Sequence, residues 1–267
     1  MQITALVLLF AFIGWLVFSW KRRVNNISIT FSSEYCTILN EKVLFFQKLN
    51  TSDKIKFETR MSEFLSTVSI TGIDTTVEAL DTVLVAASAI IPIFAFSNWR
   101  YNNLNEVLLY PQSFNEQFNL TSEQDKPIIG MVGTGAMHRV MILSKPALRE
   151  GFSNKLDKNN TGVNEFVHLI DKSDGETDGV PENLLDKQYI LPWINLIHEN
   201  LKEILADKSD INPYGATNKV EFFAVVSEYF FERPDTLKIK HPQLYQLLEK
   251  IFKQNPAMEP LIPIVKK

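Results

Sequence analysis

Three side chains in one short stretch have the types and the spacing needed to bind a metal ion and move a proton. In "TGVNEFVHLID", residues 161–171, Asn164 and His168 are four positions apart, and Glu165 directly follows Asn164. Residues i and i+4 lie on one face of an α-helix. The stretch is therefore one residue short of the His-Glu-x-x-His arrangement, in which two imidazoles bind zinc and the glutamate acts on the metal-bound water.

Taken alone, this motif is a weak indication of a metal site. Glu-x-x-His arises often on amphipathic helices, and a structural histidine packed under the helix is the simpler interpretation of His168. A third ligand in such sites is often a glutamate from a later helix, and Glu221 lies near the start of one, with Glu228 seven residues further along the same face. Glu221 also follows Asn218 by three residues, so it is equally explained as a member of a capping box.

Longer stretches carry a resemblance to a known family. The segments "NEFVHLID", "DGVP", "INPYGATNKVEFFAVVSEYFFERP" and "HPQLYQLL", together with "AASAIIPIFAF", "YNNLNEVLLYP" and "MILSKPALREGF" upstream, resemble the Mlc titration factor A family of zinc-dependent, glucose-regulated metallopeptidases. The likeness extends from about Glu41 to Pro256. It implies a mostly helical, zincin-like α+β domain with a small sheet, a zinc cofactor and a peptide substrate.

The resemblance also assigns roles to individual residues. It implies that His168 and Glu221 are zinc ligands, that Glu165 is the general base, and that Tyr214 donates a hydrogen bond to the oxyanion. Asn164 departs from the pattern, because the family has its first histidine ligand at this position. A neutral amide oxygen is a poor substitute for imidazole on zinc, so we expect zinc binding to be weak or absent and hydrolysis to be near background.

Three interpretations of function follow from the retained and missing residues. The chain is a zinc peptidase with impaired metal binding, or a pseudopeptidase that binds a peptide or a regulatory protein without cutting it. Alternatively, Asn164 is a recent or introduced change in an active lineage, since His to Asn requires a single base change. His138 is the remaining histidine close enough in sequence to approach the site, although no spacing supports a role as replacement ligand.

The elements that must position these residues have recognisable patterns. Apolar residues at three- and four-residue spacing predict helices over 33–49 and 54–67, the latter capped by Ser52 and Asp53. "VSITGI", "NEVLLYP" and "HRVMILS" predict strands, and a short helix is expected near Pro146. The uncharged run from Thr82 to Phe96 is too short to cross a membrane, so it predicts a buried core helix with a capping box from Thr75 to Glu78.

Further along the chain, four helices are expected around residues 160–172, 190–206, 218–232 and 241–254. Strands early in the chain and helices late predict an α+β domain with the sheet on one side of a helical core. "GMVGTGAMH" matches neither a phosphate loop nor a dinucleotide fingerprint and is expected to be a loop beside a strand. "DGETDG" lacks the closing glutamate of a calcium loop and is expected to be a turn.

The N-terminus predicts a membrane anchor. Residues 1–20 contain no charged side chain and are followed at once by Lys21, Arg22 and Arg23. The apolar run from Ile3 to Trp20 would span about 27 Å as a helix, close to a bilayer core of about 30 Å. The basic flank predicts a single-pass anchor over residues 1–23 in the inner or plasma membrane, with a domain over residues 24–267 facing the cytoplasm.

Composition excludes several other classes of function. The formal net charge is −4, and three of the basic residues lie in the anchor flank, so the rest of the chain is acidic and no nucleic-acid partner is expected. The single cysteine, Cys36, excludes an intrachain disulfide and a Cys-x-x-Cys metal or redox site. The expected partners are therefore the membrane and a peptide substrate or protein partner.

Overall fold

The computed structural model describes residues 31–121, 126–153 and 158–257. The expected anchor over residues 1–23 lies outside the described residues. Among the helices that are described, none combines the length and the apolar composition needed to cross a bilayer. The fold is mostly helical with a small sheet, which confirms the α+β prediction. The helices are α1 (Ser33–Lys42), α2 (Leu44–Gln47), α3 (Thr51–Leu65), α4 (Ala79–Ile93), α5 (Lys145–Ser153), α6 (Thr161–Asp171), α7 (Lys187–Leu205), α8 (Lys219–Glu232), α9 (Pro234–Lys240) and α10 (Pro242–Phe252).

The sheet has four strands in the order β1-β2-β4-β3. They are β1 (Ser69–Gly72), β2 (Glu106–Tyr110), β3 (Gly130–Val132) and β4 (Val140–Ser144). The first three in this order are parallel, and β3 runs antiparallel to β4, with Met131 opposite Ile142. Because β3 is at one edge, the backbone groups on its outer side have no strand partner within this sheet.

Side chains alternate across the sheet and join two apolar clusters. Val107 and Met141 face the main core, whereas Tyr110 and Ile142 pack with Phe114 on the opposite side. This alternation is the pattern expected of strands that are buried on both faces. The main core then continues through the helices, so the sheet forms one side of a helical body, as predicted.

Helix α4 is the centre of the main core. All of its residues from Val83 to Ile93 are buried, which confirms that this uncharged run is a core helix. Helices α1, α3, α5 and α6 pack against it. The contact with α6 is close, because a Cβ on Gly162 would lie 2.1 Å from the Ser88 hydroxyl oxygen. Only glycine at 162 allows α6 to lie this near to α4.

Several boundaries differ from the sequence-based predictions. The helix expected over 33–49 is broken at Val43, whose extended backbone ends α1 before α2 begins. Helix α3 begins at Thr51 with Asn50 as its cap, because the Asn50 side chain accepts a hydrogen bond from the Asp53 backbone N–H. Ser52 and Asp53 are therefore inside the first turn, so their predicted capping role is wrong.

Three further features differ from the predictions. Helix α4 is capped through Glu78 and Asp81, so the capping box predicted from Thr75 to Glu78 is wrong. Strand β3 lies in the stretch expected to be a loop, and helix α9 was not predicted. The strands β1, β2 and β4, the helix at Pro146 and the four later helices are confirmed.

Candidate active site

Helix α6 has two side chains that are not fully buried. Its N-terminus is capped by Asn160, whose side-chain oxygen accepts a hydrogen bond from the Val163 backbone N–H at 3.1 Å. Nine of the eleven residues of α6 are buried, and the two that remain partly exposed are Asn164 and His168. These are the i and i+4 positions singled out from the sequence. The core therefore fixes the helix while leaving this pair accessible.

Helix α8 brings Glu221 to His168. The Asn218 side chain caps α8 by accepting a hydrogen bond from the Glu221 backbone N–H at 2.9 Å. The Glu221 carboxylate extends toward α6, where its Oε2 lies 3.4 Å from His168 Nε2. This oxygen is buried and has no hydrogen-bond partner among the described residues. The backbone of Glu221 thus serves the helix cap, and its side chain remains available to a ligand.

The electrostatic surroundings of His168 favour its charged form. Burial alone would lower the pKa of this imidazole, but the carboxylates of Glu221, Glu165 and Asp171 outweigh that effect and raise the pKa. A site with this much negative charge around one imidazole attracts a cation.

Asn164 is held by a second glutamate of α8. Its Nδ2 donates a hydrogen bond to Oε1 of Glu228, and the Asn160 backbone N–H donates to Oε2 of the same carboxyl group. Burial raises the pKa of Glu228 to about 7. The Asn164 amide is therefore directed toward a buried carboxyl group and contributes its donor to a contact between α6 and α8.

Glu165 lies between α6 and the edge strand β3. Its carboxyl group is buried, and a Cβ on Gly130 would come within 2.6 Å of Glu165 Oε1. Burial is the main cause that raises the pKa of Glu165 to about 7, and Glu221 raises it further, whereas His168 lowers it. A carboxyl group with this pKa can accept and return a proton near neutral pH.

Tyr214 lies close to the carboxylates of Glu221 and Glu165. It belongs to the 3₁₀ turn Pro213–Ala216, where the Asn212 side chain accepts a hydrogen bond from the Tyr214 backbone N–H at 3.0 Å. Its ring is half exposed. Burial raises the pKa of the Tyr214 hydroxyl, followed by the charges of Glu221 and Glu165. The hydroxyl is therefore a protonated donor facing the carboxylates of the site.

The described donor atoms match two positions of a zinc site and leave the third unfilled. The 3.4 Å between His168 Nε2 and Glu221 Oε2 equals the edge of a tetrahedron with metal–ligand bonds of about 2.0–2.1 Å. Among the described residues, no group of three histidine, cysteine, aspartate or glutamate side chains converges in a metal-binding arrangement. Since protein zinc sites use at least three protein ligands, this set does not fit a tightly held zinc ion.

The remaining histidines do not complete the site. His138 lines a cavity together with Arg139 and Lys172, away from His168 and Glu221, in agreement with the expectation that it is not a replacement ligand. His198 lies exposed on α7, and His241 contacts Asp210 at 2.7 Å.

Sequence reasoning missed two features of the site. The first is β3, whose glycine-rich sequence gave no alternating pattern although Gly130 directly contacts Glu165. The second is the hydrogen bond from Asn164 to Glu228. The seven-residue spacing of Glu221 and Glu228 was the available signal for it, because it places both carboxyl groups on the face of α8 that packs against α6.

Comparison with known proteins gives a family match over most of the chain. A family model described as glucose-regulated metallo-peptidase M90 matches residues 17–253. The chain is 30% identical to an uncharacterized protein of Synechocystis sp. over 238 residues, which cover 84% of each chain.

Further relatives are named Mlc titration factor A. The protein of Pectobacterium atrosepticum is 29% identical over 182 residues, covering 62% of this chain and 65% of the relative. That of Serratia proteamaculans is 26% identical over the same length, covering 62% and 66%. The chain thus spans slightly less than two thirds of the length of these two relatives.

Proposed function

The chain belongs to the glucose-regulated metallopeptidase family M90, and on this premise we propose that it is a membrane-anchored, peptide-binding member whose zinc binding and hydrolysis are impaired by Asn164. One observation carries this proposal. The Asn164 amide donates its hydrogen bond to Glu228, while His168 Nε2 and Glu221 Oε2 remain at ligand spacing, 3.4 Å apart. On this proposal His168 and Glu221 are the two retained zinc ligands, and the third ligand position carries a side chain whose amide is bonded to Glu228.

The contact with Glu228 explains why Asn is tolerated at this position. Metal-binding histidines commonly donate their second ring N–H to a carboxylate, which fixes the ring. We infer that Glu228 accepts the Asn164 amide in the place of such a ring N–H. Asn164 then preserves the contact between α6 and α8, but it lacks the distal ring nitrogen that would reach a metal ion.

The remaining residues retain the chemistry of a peptidase site. When bound, a zinc ion supplies Lewis acidity and lowers the pKa of its water. Glu165 holds or accepts a proton beside β3, and the Tyr214 hydroxyl offers a hydrogen bond to a developing negative charge. No hydrolytic step is expected of the unmodified chain, since its set of zinc ligands is incomplete.

The edge strand β3 offers a binding mode for an extended peptide. Its outer backbone groups can pair with an added strand, as in recognition by β-augmentation. Gly130 places the beginning of β3 against Glu165, so a peptide along this edge would pass the carboxyl group and His168. The same mode serves a regulatory protein that presents an extended segment. That alternative, a pseudopeptidase that binds without cutting, is favoured by Asn164.

The first experiment measures zinc in the purified full-length chain and in Asn164→His by elemental analysis. We expect well under one equivalent in the unmodified chain and close to one in the variant, because imidazole at 164 can keep the Glu228 contact and add a third ligand. Gln188→His, which adds a histidine on the exposed start of α7, controls for adventitious binding.

Two results of this experiment would contradict the proposal. A full equivalent in the unmodified chain would show that Asn164 does not impair zinc binding. An empty Asn164→His variant that is folded would show that His168 and Glu221 are not ligands. The interpretation of Asn164 as a recent change in an active lineage additionally requires that Asn164→His hydrolyses peptides.

A further inference from the structure

A polar cavity of about 400 Å³ lies at the C-terminal end of α6. Its walls come from the segment after α4, from the turn between β3 and β4, and from the residues that follow α6. Their basic side chains and one indole are Trp99, Arg100, His138, Arg139 and Lys172.

Positive charge in this cavity is incompletely neutralised. Lys172 Nζ donates to the Gly133 carbonyl oxygen at 3.3 Å, and an Arg139 guanidinium nitrogen donates to the Asn102 carbonyl oxygen at 2.6 Å. Both acceptors are neutral. Arg100 pairs with Glu63 at 2.8 Å on an exposed surface, and no aspartate or glutamate is among the described residues that line the cavity. Its charge is therefore available to an anion.

Two other observations indicate a ligand site rather than a solvated surface. The Trp99 indole Nε1–H is buried and has no hydrogen-bond partner among the described residues. Arg139 has a positive φ of 68°, which is costly for a residue with a side chain. Its carbonyl oxygen accepts from the backbone N–H groups of Asn105 and Glu106, which hold it in this conformation. The fold thus fixes an arginine at a strained position on the cavity wall.

The cavity is aligned with the candidate active site. Strand β3 begins at Gly130 against Glu165, and the residue after it, Gly133, receives the hydrogen bond from Lys172. Three strand residues and seven helical residues both cover about 10 Å, so β3 and α6 run side by side in the same direction. A ligand that lies along β3 at Glu165 therefore reaches the cavity about three residues further on.

We propose that this cavity is a subsite for a carboxylate of the peptide that binds along β3. The carboxylate belongs either to the C-terminus of the peptide or to an aspartate or glutamate side chain about three residues from the position at Glu165. This inference rests on the peptide-binding part of the proposed function and does not depend on metal. Lys172 and Arg139 supply the charged donors, and the His138 imidazole lines the same cavity.

The test measures binding of fluorescent six-residue peptides to the full chain by anisotropy, with a chelator present. Four peptides separate the two sources of the carboxylate: an internal Glu or Gln is combined with a free or an amidated C-terminus. We expect removal of the recognised carboxylate to weaken binding about 10-fold, as for loss of a charge-assisted hydrogen bond. The position that shows this loss identifies the source.

Variants then assign the effect to the cavity. Lys172→Gln, and separately Arg139→Asn, which suits a positive φ, should reduce the preference for the charged peptide and leave binding of the neutral peptide unchanged. Lys202→Gln removes an equal charge from the exposed end of α7 and should have no effect. Circular dichroism establishes that each variant is folded.

The outcomes separate this inference from the proposed function. Equal binding of charged and neutral peptides, or an unchanged preference in both cavity variants, would overturn the carboxylate subsite and leave the peptide site along β3 intact. If none of the peptides binds, neutral ones included, the peptide site itself is wrong and the subsite is wrong with it.

Discussion

At the scale of single residues, the site contains carboxyl groups whose pKa values are raised toward neutral pH by burial. The pKa values of Glu165 and Glu228 are both raised to about 7, and that of Asp171 to about 6. Glu165 lies on α6 against β3, whereas Glu228 lies on α8 and accepts a hydrogen bond from Asn164. The site therefore changes charge within the physiological pH range even in the absence of a metal ion.

This arrangement predicts a particular pH dependence of stability. A carboxyl group whose pKa is higher in the folded state contributes stability below its unfolded pKa, and that contribution is lost as pH rises through the folded pKa. For Glu165, the free energy of unfolding should fall between about pH 4.5 and pH 7 by at most about 3 kcal/mol. Urea denaturation across this range, with a chelator present, measures the slope.

Glu165→Gln should make that slope shallower, because a neutral amide does not titrate. The readout is the slope and not the absolute stability, since an amide in this buried position has its own hydrogen-bonding needs. Glu150→Gln, on the exposed side of α5, provides the control. A slope that is the same in Glu165→Gln and in the unmodified chain would show that Glu165 is not the titrating group.

At the scale of elements, Asp210 connects the segment before the Tyr214 turn to the segment before α6, to α8, and to the junction of α9 and α10. Its carboxylate accepts hydrogen bonds from Lys158 at 2.7 Å, from Tyr229 at 2.8 Å and from Lys240 at 2.9 Å, and it contacts His241 Nε2 at 2.7 Å. Burial would raise the pKa of Asp210, but these donors outweigh it and hold the pKa well below its usual range. The stability from this cluster is present above the unfolded pKa and is lost in strong acid.

Asp210→Asn should therefore destabilise the domain by about 1–3 kcal/mol near neutral pH, because several donors lose one shared, charged acceptor. Thermal unfolding followed by circular dichroism measures the change. Asp207→Asn is a matched control, since Asp207 is exposed and its positive φ of 56° suits asparagine. If the two substitutions lowered the stability equally, the cluster around Asp210 would have no particular role in stabilising the domain.

The secondary-structure elements also show which parts of the fold could be predicted from the sequence. The exposed pair on α6, the core helix α4 and the strands with regular apolar patterns were predictable, because helical and strand periodicity follow directly from side-chain burial. Strand β3 was not, since three residues with glycine and no alternation are extended only through pairing with β4. The bond between Asn164 and Glu228 was also out of reach, because it depends on how α6 and α8 pack.

At the scale of the whole molecule, the chain combines an acidic domain with the proposed anchor over residues 1–23. The prediction is that the full-length chain stays in the membrane fraction after a carbonate wash, whereas deletion of residues 1–20 releases it. The apolar run gives the reason, because its burial in the bilayer does not depend on charge. Immunoblots of the two fractions measure the distribution.

Orientation is tested in cells that express the full-length chain. A protease added to intact spheroplasts should leave the domain uncut, since the basic cluster at 21–23 predicts that it lies on the cytoplasmic side. Release of the full-length chain by the carbonate wash would contradict the anchor, and cleavage in intact cells would contradict the orientation. A truncated chain that remains folded and still binds peptides would show that the domain from residue 24 is independent of the membrane.

The burial pattern of helix α6 has a consequence for the evolution of the protein. Nine of its eleven residues are buried, and the two that are partly exposed, Asn164 and His168, are the proposed metal-ligand positions. Exchange between Asn and His at 164 is nearly neutral for folding, because an imidazole can also donate to Glu228, while it decides whether the proposed third ligand exists. Under the proposed function, loss of catalysis in this lineage and its recovery are each one nucleotide away, and neither has to pass through an unstable intermediate.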